Sequence, residues 1–445
     1  MKNLSKILFG ASEMRLSASA FCVIALFACS ADSADSQLPV KVEIIRTEIG
    51  YALTRDGELF EIKGAGLEFG DMQSLAAHGG NSFRTWRTDN ARYTAQEVLD
   101  EAAANGLVVA LCLPVQPERA GFDYDDDDAV AAQLARFRAE VEAYRNHPAL
   151  LMWVIGNELN HSYKNPAVYD AVNDVSKMIH ELDPNHPTTT TLAGFDQSVV
   201  TVVESRAPDL DILSIQVYGD LFVLPDRVKR NDYRKPFLVT EWGAIGHWEV
   251  DKTRWGAPIE ATSSQKADTY LRGHRDMLEP MHEQLVGSFV FLWGQKQERT
   301  PTWYGMFTET GEETETVDVM HYLWNGRWPD NRSPRVRSMH LDGKTSRDDV
   351  ALVPGERYSA AVDIFDHEGD PVTYRWELKP ESDSMKEGGD LEASIGNLGG
   401  LIDDENQSHI QLTAPVAGAY RLLVYAYDGE GHAAHANIPF YSGAP

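Results

Sequence analysis

The chain has 445 residues, 43% of them hydrophobic and 10% aromatic, which is enough for a large domain and a smaller one with packed cores. Its formal net charge is -28 at pH 7. This charge argues against nucleic acid or an anionic membrane surface as a partner, because like charges repel before contact. An uncharged substrate fits better.

The first residues have the pattern of an export signal. Lys2, Lys6 and Arg15 precede an apolar run over residues 20–28. The run is too short to span a bilayer, which takes a helix of about 20 apolar residues. We therefore expect export rather than a membrane-spanning segment.

The end of this signal is similar to the box that precedes the lipidated cysteine of bacterial lipoproteins. It reads Leu26-Phe27-Ala28-Cys29. We expect a signal peptide over 1–28, lipidation at Cys29 and a tether over 29–40. Plain signal cleavage and a retained N-terminus are the alternatives. The expected location is the cell envelope, at the outer membrane or cell surface, and otherwise the periplasm or the medium.

From about Gly50, short apolar runs alternate with amphipathic stretches, a pattern typical of repeated strand–helix units. Helices are predicted between the strands, for example over 127–145 and 165–182. Eight such units predict an α/β fold, a (β/α)8 TIM barrel over residues 41–330, rather than a doubly wound open sheet. The predicted strands are 60–66, 81–86, 107–113, 150–155, 188–192, 212–217, 237–240 and 286–292.

Residues 327–335, with two prolines among polar residues, indicate a domain boundary. Short alternating segments with glycine- and aspartate-rich turns follow and predict a small all-β sandwich over 335–445. The stretches 366–376 and 419–428 resemble immunoglobulin-like modules of the polycystic-kidney-disease type. The predicted strands of this domain are 357–365, 372–378, 409–413 and 420–427.

Two glutamates follow predicted barrel strands, Glu158 after the fourth and Glu241 after the seventh. Reacting groups of such barrels stand at the C-terminal ends of the strands, so the two should face each other across the mouth. Glycoside cleavage needs one carboxylic acid and a second carboxylate. At a separation of about 5 to 5.5 Å no water fits between them, so the second must be a nucleophile and the configuration is retained.

The motifs Trp153-Val-Ile-Gly-Asn-Glu158 and Glu241-Trp242-Gly243 resemble those of clan A glycoside hydrolases, nearest to the barrel domain of glycoside hydrolase family 2. The resemblance covers roughly residues 50 to 325. It implies that Glu158 is the acid/base, that Glu241 is the nucleophile and that Asn157 binds the substrate's 2-hydroxyl.

The same resemblance implies further roles around the pair. Arg84 would keep the nucleophile ionised, Tyr218 would hydrogen-bond it and Trp293 would be the platform under the cleaved sugar. Trp86, close to where many family members have a histidine, and Trp242 are further candidates for substrate binding.

Two loops of the predicted barrel are unusually aromatic, 245–259 with Trp248 and Trp255, and 294–307. Aromatic rings stack on sugar faces, which favours several subsites and a polymeric substrate. Packing among the loops is the alternative. Metal-ligand spacing and a phosphate-binding glycine loop are both missing from the sequence, so no cofactor is expected.

These features together predict a retaining glycoside hydrolase that cleaves β-linked oligo- or polysaccharide by double displacement. A β-glucan such as β-1,3-glucan is the candidate by analogy alone. The alternatives are a glucan transglycosylase that uses the same glutamates and a non-catalytic carbohydrate-binding surface lipoprotein. Carbohydrate is the expected partner, with membrane contact only through a lipid on Cys29 and with the oligomeric state left open.

Overall fold

The computed structural model describes residues 40–386 and 389–444. The predicted signal peptide and the lipidation site Cys29 lie outside these residues. Within the described part of the chain, every helix is too short or too polar to cross a membrane.

A small antiparallel sheet comes first, made of β1 (Val42–Arg46), β2 (Tyr51–Arg55) and β3 (Glu58–Leu59). Its buried Val42 and Leu53 share one apolar cluster with Phe289 and other residues of the barrel strands. Backbone bonds run from Val42 N to Asn185 O, 2.8 Å, and from Tyr51 N to Glu283 O, 3.0 Å, in loops that enter barrel strands. The sheet therefore covers the N-terminal end of the barrel.

Eight parallel strands close into a barrel in sequence order. They are β4 (Ile62–Gly66), β5 (Ser82–Arg84), β6 (Val108–Leu113), β7 (Leu150–Ile155), β8 (Thr188–Ala193), β9 (Ile212–Gln216), β10 (Phe237–Gly243) and β11 (Leu285–Phe291). Strands such as β6 and β7 are buried at every residue, as parallel strands covered on both faces must be.

A helix follows each strand: α1 (Met72–Ala77), α2 (Ala95–Ala104), α3 (Asp127–Tyr144), α4 (Ala167–Leu182), α5 (Gln197–Arg206), α6 (Leu224–Arg230), α7 (Ser263–Arg272) and α8 (Glu315–Asn325). Local sequence sets several ends. The side chains of Thr94 and Glu97 form a capping box at the start of α2, and α8 stops at Gly326, whose φ of 71° is left-handed.

Two four-stranded sheets follow the barrel. Their strands are β12 (Arg335–Leu341), β13 (Ala351–Leu352), β14 (Arg357–Phe365), β15 (Thr373–Pro380), β16 (Ile402–Asp403), β17 (His409–Thr413), β18 (Gly418–Tyr427) and β19 (Ala433–Ser442). The sheet orders are β12-β14-β17-β16 and β13-β19-β18-β15. Trp376, Leu412 and Phe440 belong to a core separate from that of the barrel. The predicted fold class, a TIM barrel followed by a small all-β domain, is confirmed.

Candidate active site

A cavity of about 850 Å³ opens at the C-terminal ends of the barrel strands. The loops after β7, β8, β9, β10 and β11 line most of it, with Glu158, Tyr218, Trp248 and Trp255 among the lining side chains. Segments of the C-terminal sandwich line the rest. The two predicted glutamates therefore lie at the end of the barrel that is opposite the N-terminal sheet.

Glu241 lies on β10, is 5% exposed and accepts hydrogen bonds from three side chains. Its Oε1 accepts from Arg84 Nη1 at 3.0 Å and from Trp86 Nε1 at 2.7 Å, and its Oε2 accepts from Tyr218 OH at 2.6 Å. The carboxylate is thus fixed in one orientation. Three donors, one of them cationic, favour its ionised form, since an anionic carboxylate can only accept.

The amide of Asn157 has its orientation set by three donors on its carbonyl oxygen, of which Thr191 Oγ1 is the most distant at 3.4 Å. Arg84 Nη2 and Gln216 Nε2 both donate to Asn157 Oδ1 at 2.9 Å. Among the described residues the amide nitrogen of Asn157 donates to no protein group. It is therefore available to a substrate hydroxyl, the contact that the family resemblance implies.

Glu158 follows β7 through a tight turn. Gly156 has a φ of 76°, and a Cβ there would lie 2.6 Å from Leu159 Cδ1. Glu158 itself has a φ of 48°, a left-handed conformation that costs free energy and is often kept at functional sites. Its N–H donates to Thr191 Oγ1 at 3.0 Å, which holds the turn against β8.

Burial, and then the negative charge of Glu241, raise the pKa of Glu158 to about 8. The cations of Arg84 and Arg119 act in the opposite direction and are outweighed. At neutral pH the Glu158 carboxyl therefore keeps its proton, whereas Glu241 lies among donors that favour its anion. One protonated and one ionised carboxyl can together perform acid-assisted nucleophilic displacement.

The structure brings Glu158, Glu241, Asn157, Arg84, Tyr218 and Trp86 together, but it does not bring Trp293 and Trp242 to the cavity. Trp293 is fully buried and packs against His78, Phe307 and Trp324. Trp242 packs against Tyr270 and His274. Both indole rings lie in the packing between barrel and helices, so neither is placed to stack on a sugar.

Phe291 takes the position at the end of β11 that the sequence assigned to Trp293. Its ring makes edge-to-face contacts with Trp86 at 5.6 Å and Tyr218 at 5.8 Å, both of which bind Glu241. An apolar surface thus lies beside the nucleophile. A phenylalanine in an apolar run gives no signal of such a role.

Gln216, the last residue of β9, is a second site residue that sequence reasoning missed. It lines the cavity, and its buried Oε1 has no hydrogen-bond partner in the described part of the chain. An unpaired buried acceptor costs free energy, so a substrate hydroxyl or water is the expected partner. The sequence did contain a signal for this role: a polar glutamine follows the run Ile-Leu-Ser-Ile at the C-terminal end of a strand, the same rim that carries the two glutamates.

The two aromatic loops serve different purposes. Trp248 and Trp255, in the loop after β10, both line the cavity, and Trp248 is 54% exposed and packs edge-on to Tyr218. Trp303 and Tyr304, in the loop after β11, are buried in the barrel core. Only the first loop offers aromatic rings to a ligand.

The same barrel matches a known family. Residues 66–247 match the family model for glycosyl hydrolases family 2, TIM barrel domain. This stretch of the barrel is similar to the family 2 barrel domain. The resemblance drawn from the sequence motifs is thereby confirmed. No curated protein sequence matches the chain.

Solved structures similar to this chain include β-glucuronidases and a GH2 β-galacturonidase. The apo structure of Bacteroides uniformis β-glucuronidase 3 has a TM-score of 0.45 at 14% identity, over 91% of this chain and 52% of that one. The β-D-glucuronidase of Dictyoglomus thermophilum has 0.48 at 18%, over 65% and 54%. The galacturonate-bound β-galacturonidase of Eisenbergiella tayi has 0.48 at 16%, over 65% and 54%. The chain spans about half the length of these proteins.

Proposed function

We propose that the chain is a retaining β-glycosidase with Glu158 as its acid/base and Glu241 as its nucleophile. The raised pKa of Glu158, beside a carboxylate held by three hydrogen-bond donors, supports this most directly. Burial and the charge of Glu241 raise the pKa of Glu158 to about 8, and the donors Arg84, Trp86 and Tyr218 favour the anion of Glu241. A carboxyl that keeps its proton and a second carboxyl held by donors are what an acid and a nucleophile require.

The reaction takes two displacements. In the first, Glu241 attacks the anomeric carbon while Glu158 gives its proton to the leaving oxygen, which breaks the glycosidic bond and forms a glycosyl ester on Glu241. In the second, Glu158 as a carboxylate takes a proton from water, whose oxygen attacks the same carbon and frees Glu241. Two inversions retain the configuration. The free amide nitrogen of Asn157 would bind the 2-hydroxyl throughout.

We propose an uncharged β-linked glycan, for instance a β-1,3-glucan, as substrate. The cavity offers Trp248 and Trp255 as surfaces for sugar rings. Its charged lining consists of more carboxyls than cations, which disfavours an anionic sugar. Apart from the protonated Glu158, the carboxyls are Asp220, Glu249, Glu381 and Asp383, and the cations are Lys252 and Arg299.

The experiment is turnover of a panel of β-linked glycans and their aryl glycosides by the wild type, Glu158→Ala, Glu241→Ala and the control Asp220→Asn. Asp220 lines the same cavity, but its two carboxyl oxygens already accept hydrogen bonds from the guanidinium nitrogens of Arg227, at 2.6 and 2.9 Å. We expect the control to stay active. Azide should restore the activity of Glu241→Ala and give a glycosyl azide of inverted configuration. It should also restore the activity of Glu158→Ala, with a glycosyl azide of retained configuration as the product.

Each outcome has a distinct meaning. Unchanged activity in both glutamate variants would refute the assignment. Products longer than the substrate would identify a transglycosylase, and binding without turnover across the panel would identify a carbohydrate-binding protein.

We also propose export and lipid attachment at Cys29, on the strength of the sequence pattern alone. Metabolic labelling with palmitate in the expressing bacterium tests this. Label in the wild type and none in Cys29→Ser supports attachment, and label in neither refutes it.

A further inference from the structure

The C-terminal sandwich contributes one wall of the catalytic cavity. Residues 381–385, which follow β15, and Ala419 on β18 line the same space as Glu158. Met385 is 88% exposed, although a methionine more often fills a core. The wall also carries polar groups, the hydroxyls of Ser382 and Ser384 and the carboxyl of Asp383. Such a mixture suits a sugar, which has apolar faces and a polar edge.

A buried ion pair fixes the start of this wall. Arg421 on β18 donates to both carboxyl oxygens of Glu381, from Nε at 3.0 Å and Nη2 at 2.8 Å. The same Nη2 donates to Pro258 O, in the barrel loop after β10, at 2.9 Å. Arg421 is buried and the side chain of Glu381 is 9% exposed, so a charge-assisted pair of hydrogen bonds shielded from most solvent fixes the wall to the barrel.

Contacts with two other barrel loops continue along the same segment. Lys296 Nζ, in the loop after β11, donates to Gly389 O at 2.9 Å, and Arg299 N donates to Glu392 Oε2 at 2.9 Å. Across the mouth, Arg119 in the loop after β6 pairs with Asp390 at 3.2 Å. The sandwich therefore touches opposite sides of the rim.

The position of Glu158 tells which part of a substrate meets this wall. Glu158 lines the cavity that the wall shares, whereas the carboxylate of Glu241 is held by Trp86 and Tyr218. An acid delivers its proton to the oxygen of the leaving group. The space that extends from Glu158 away from the nucleophile is therefore the leaving-group side.

We infer that the sandwich forms a binding subsite for the sugar on the leaving-group side, between Glu381–Met385 and the barrel rim. The inference rests on the proposed glycosidase function. It makes the sandwich a determinant of substrate length: an oligosaccharide contacts residues 382–385, whereas a glycoside with a small leaving group does not reach them.

The test compares two substrates of whichever sugar the wild type turns over: the 2,4-dinitrophenyl β-glycoside and the β-linked trisaccharide. The variants are Met385→Ala, Asp383→Ala and the control Val353→Ala, an exposed apolar residue of the sandwich outside the cavity. We expect KM for the trisaccharide to rise about tenfold in the first two, the size of one lost pocket contact, with kcat unchanged. The aryl glycoside should be unaffected.

Unchanged trisaccharide kinetics in both wall variants would overturn the inference while leaving the glycosidase function intact. Equal losses on the two substrates would also overturn it, because the segment would then act through the catalytic centre. A wild type that turns over no glycoside of the initial panel would refute the proposed function itself, and the inference with it. Because Met385 and Asp383 are exposed, their truncation opens no core, and equal unfolding temperatures would verify this.

Discussion

Tyr218 and Arg84 hold opposite oxygens of the Glu241 carboxylate, and each does so from a different strand end. Arg84 also donates to Asn157, so one guanidinium positions both the nucleophile and the group expected to bind the 2-hydroxyl. The hydroxyl of the tyrosine makes a single hydrogen bond, to Oε2. Removing that hydroxyl thus changes the nucleophile and little else.

We expect Tyr218→Phe to lower kcat on the order of 100-fold, the usual cost of one donor at a reacting group, with KM changed little. Tyr270→Phe is the matched control, since its hydroxyl donates to Phe291 O at 2.8 Å in the same barrel without touching either glutamate. Steady-state kinetics of both variants checks this. A rise in KM at constant kcat in Tyr218→Phe would place the tyrosine on the substrate instead.

The raised pKa of Glu158 predicts the alkaline limb of the pH profile. The acid must carry its proton when the leaving group departs, so activity is present below pH about 8 and is lost as pH rises through that value. We expect kcat/KM for an unactivated glycoside to fall tenfold per pH unit above it. Glu158→Gln, assayed with a 2,4-dinitrophenyl glycoside that needs no acid, should lack this limb. If the alkaline fall in activity persists in Glu158→Gln, a group other than Glu158 causes it.

Side-chain direction explains which tryptophans the sequence assigned wrongly to the cavity. Successive residues of a strand point to opposite faces, so Glu241, which points into the barrel mouth, forces its neighbour Trp242 outward against α7. Trp293 lies two residues beyond the end of β11, where no regular alternation applies. Motifs identify residues near a site, but only the backbone path decides which of them enter it.

Among the elements, barrel strands such as β6 and β7 were predictable because each is a continuous apolar run buried on both faces. β19 was not, since it contains Pro439 and polar residues that discourage a strand. Proline has no N–H to donate to a neighbouring strand. Pro439 is tolerated because β13, the neighbour on that edge, pairs with β19 only at Tyr441 and Ser442, so no hydrogen bond from residue 439 is needed there. Its Asn437 side chain meets a partner from the barrel, Glu260, at 2.7 Å. Tertiary contacts of this kind leave no local pattern.

The N-terminal sheet, also absent from the predicted elements, gives a test at this scale. Leu53 on β2 is buried in the cluster that fills the barrel's N-terminal end, so Leu53→Ala should lower the free energy of unfolding by about 2 to 5 kcal/mol. Leu59→Ala, at a 73% exposed residue of the same sheet, should change it by about 0.5 kcal/mol or less. Urea unfolding measures both, and KM should be unaffected. Equal effects of the two changes would contradict the packing.

At the scale of the whole molecule, barrel and sandwich meet through a buried polar network. Glu260, after β10, binds Lys266 of α7, Thr300 of the next loop at 2.7 Å and Asn437 of the sandwich. Burial raises the pKa of Glu260, but the surrounding charges, Lys266 foremost and Arg421 with it, together with the hydrogen bond from Lys266 outweigh burial and lower this pKa to about 2. A buried charge is stable only when its partners are present. Separating barrel and sandwich would therefore leave polar groups of this network, such as Glu260 and Asn437, without their partners.

Arg421 offers the sharpest test of this coupling, because it binds Glu381 and Asn437 of the sandwich and Pro258 of the barrel at once. Arg421→Leu leaves the Glu381 carboxylate buried without its cation, so we expect a loss of about 3 to 5 kcal/mol in the free energy of unfolding. Arg347→Leu is the control: Arg347 also links the domains, to Asp251 at 2.7 Å, but is 71% exposed, so its loss should cost at most about 1 kcal/mol. Urea unfolding followed by fluorescence and by circular dichroism should give coincident transitions for the wild type. Separate transitions for barrel and sandwich, or equal losses in the two variants, would show that the buried network does not join the domains into one cooperative unit.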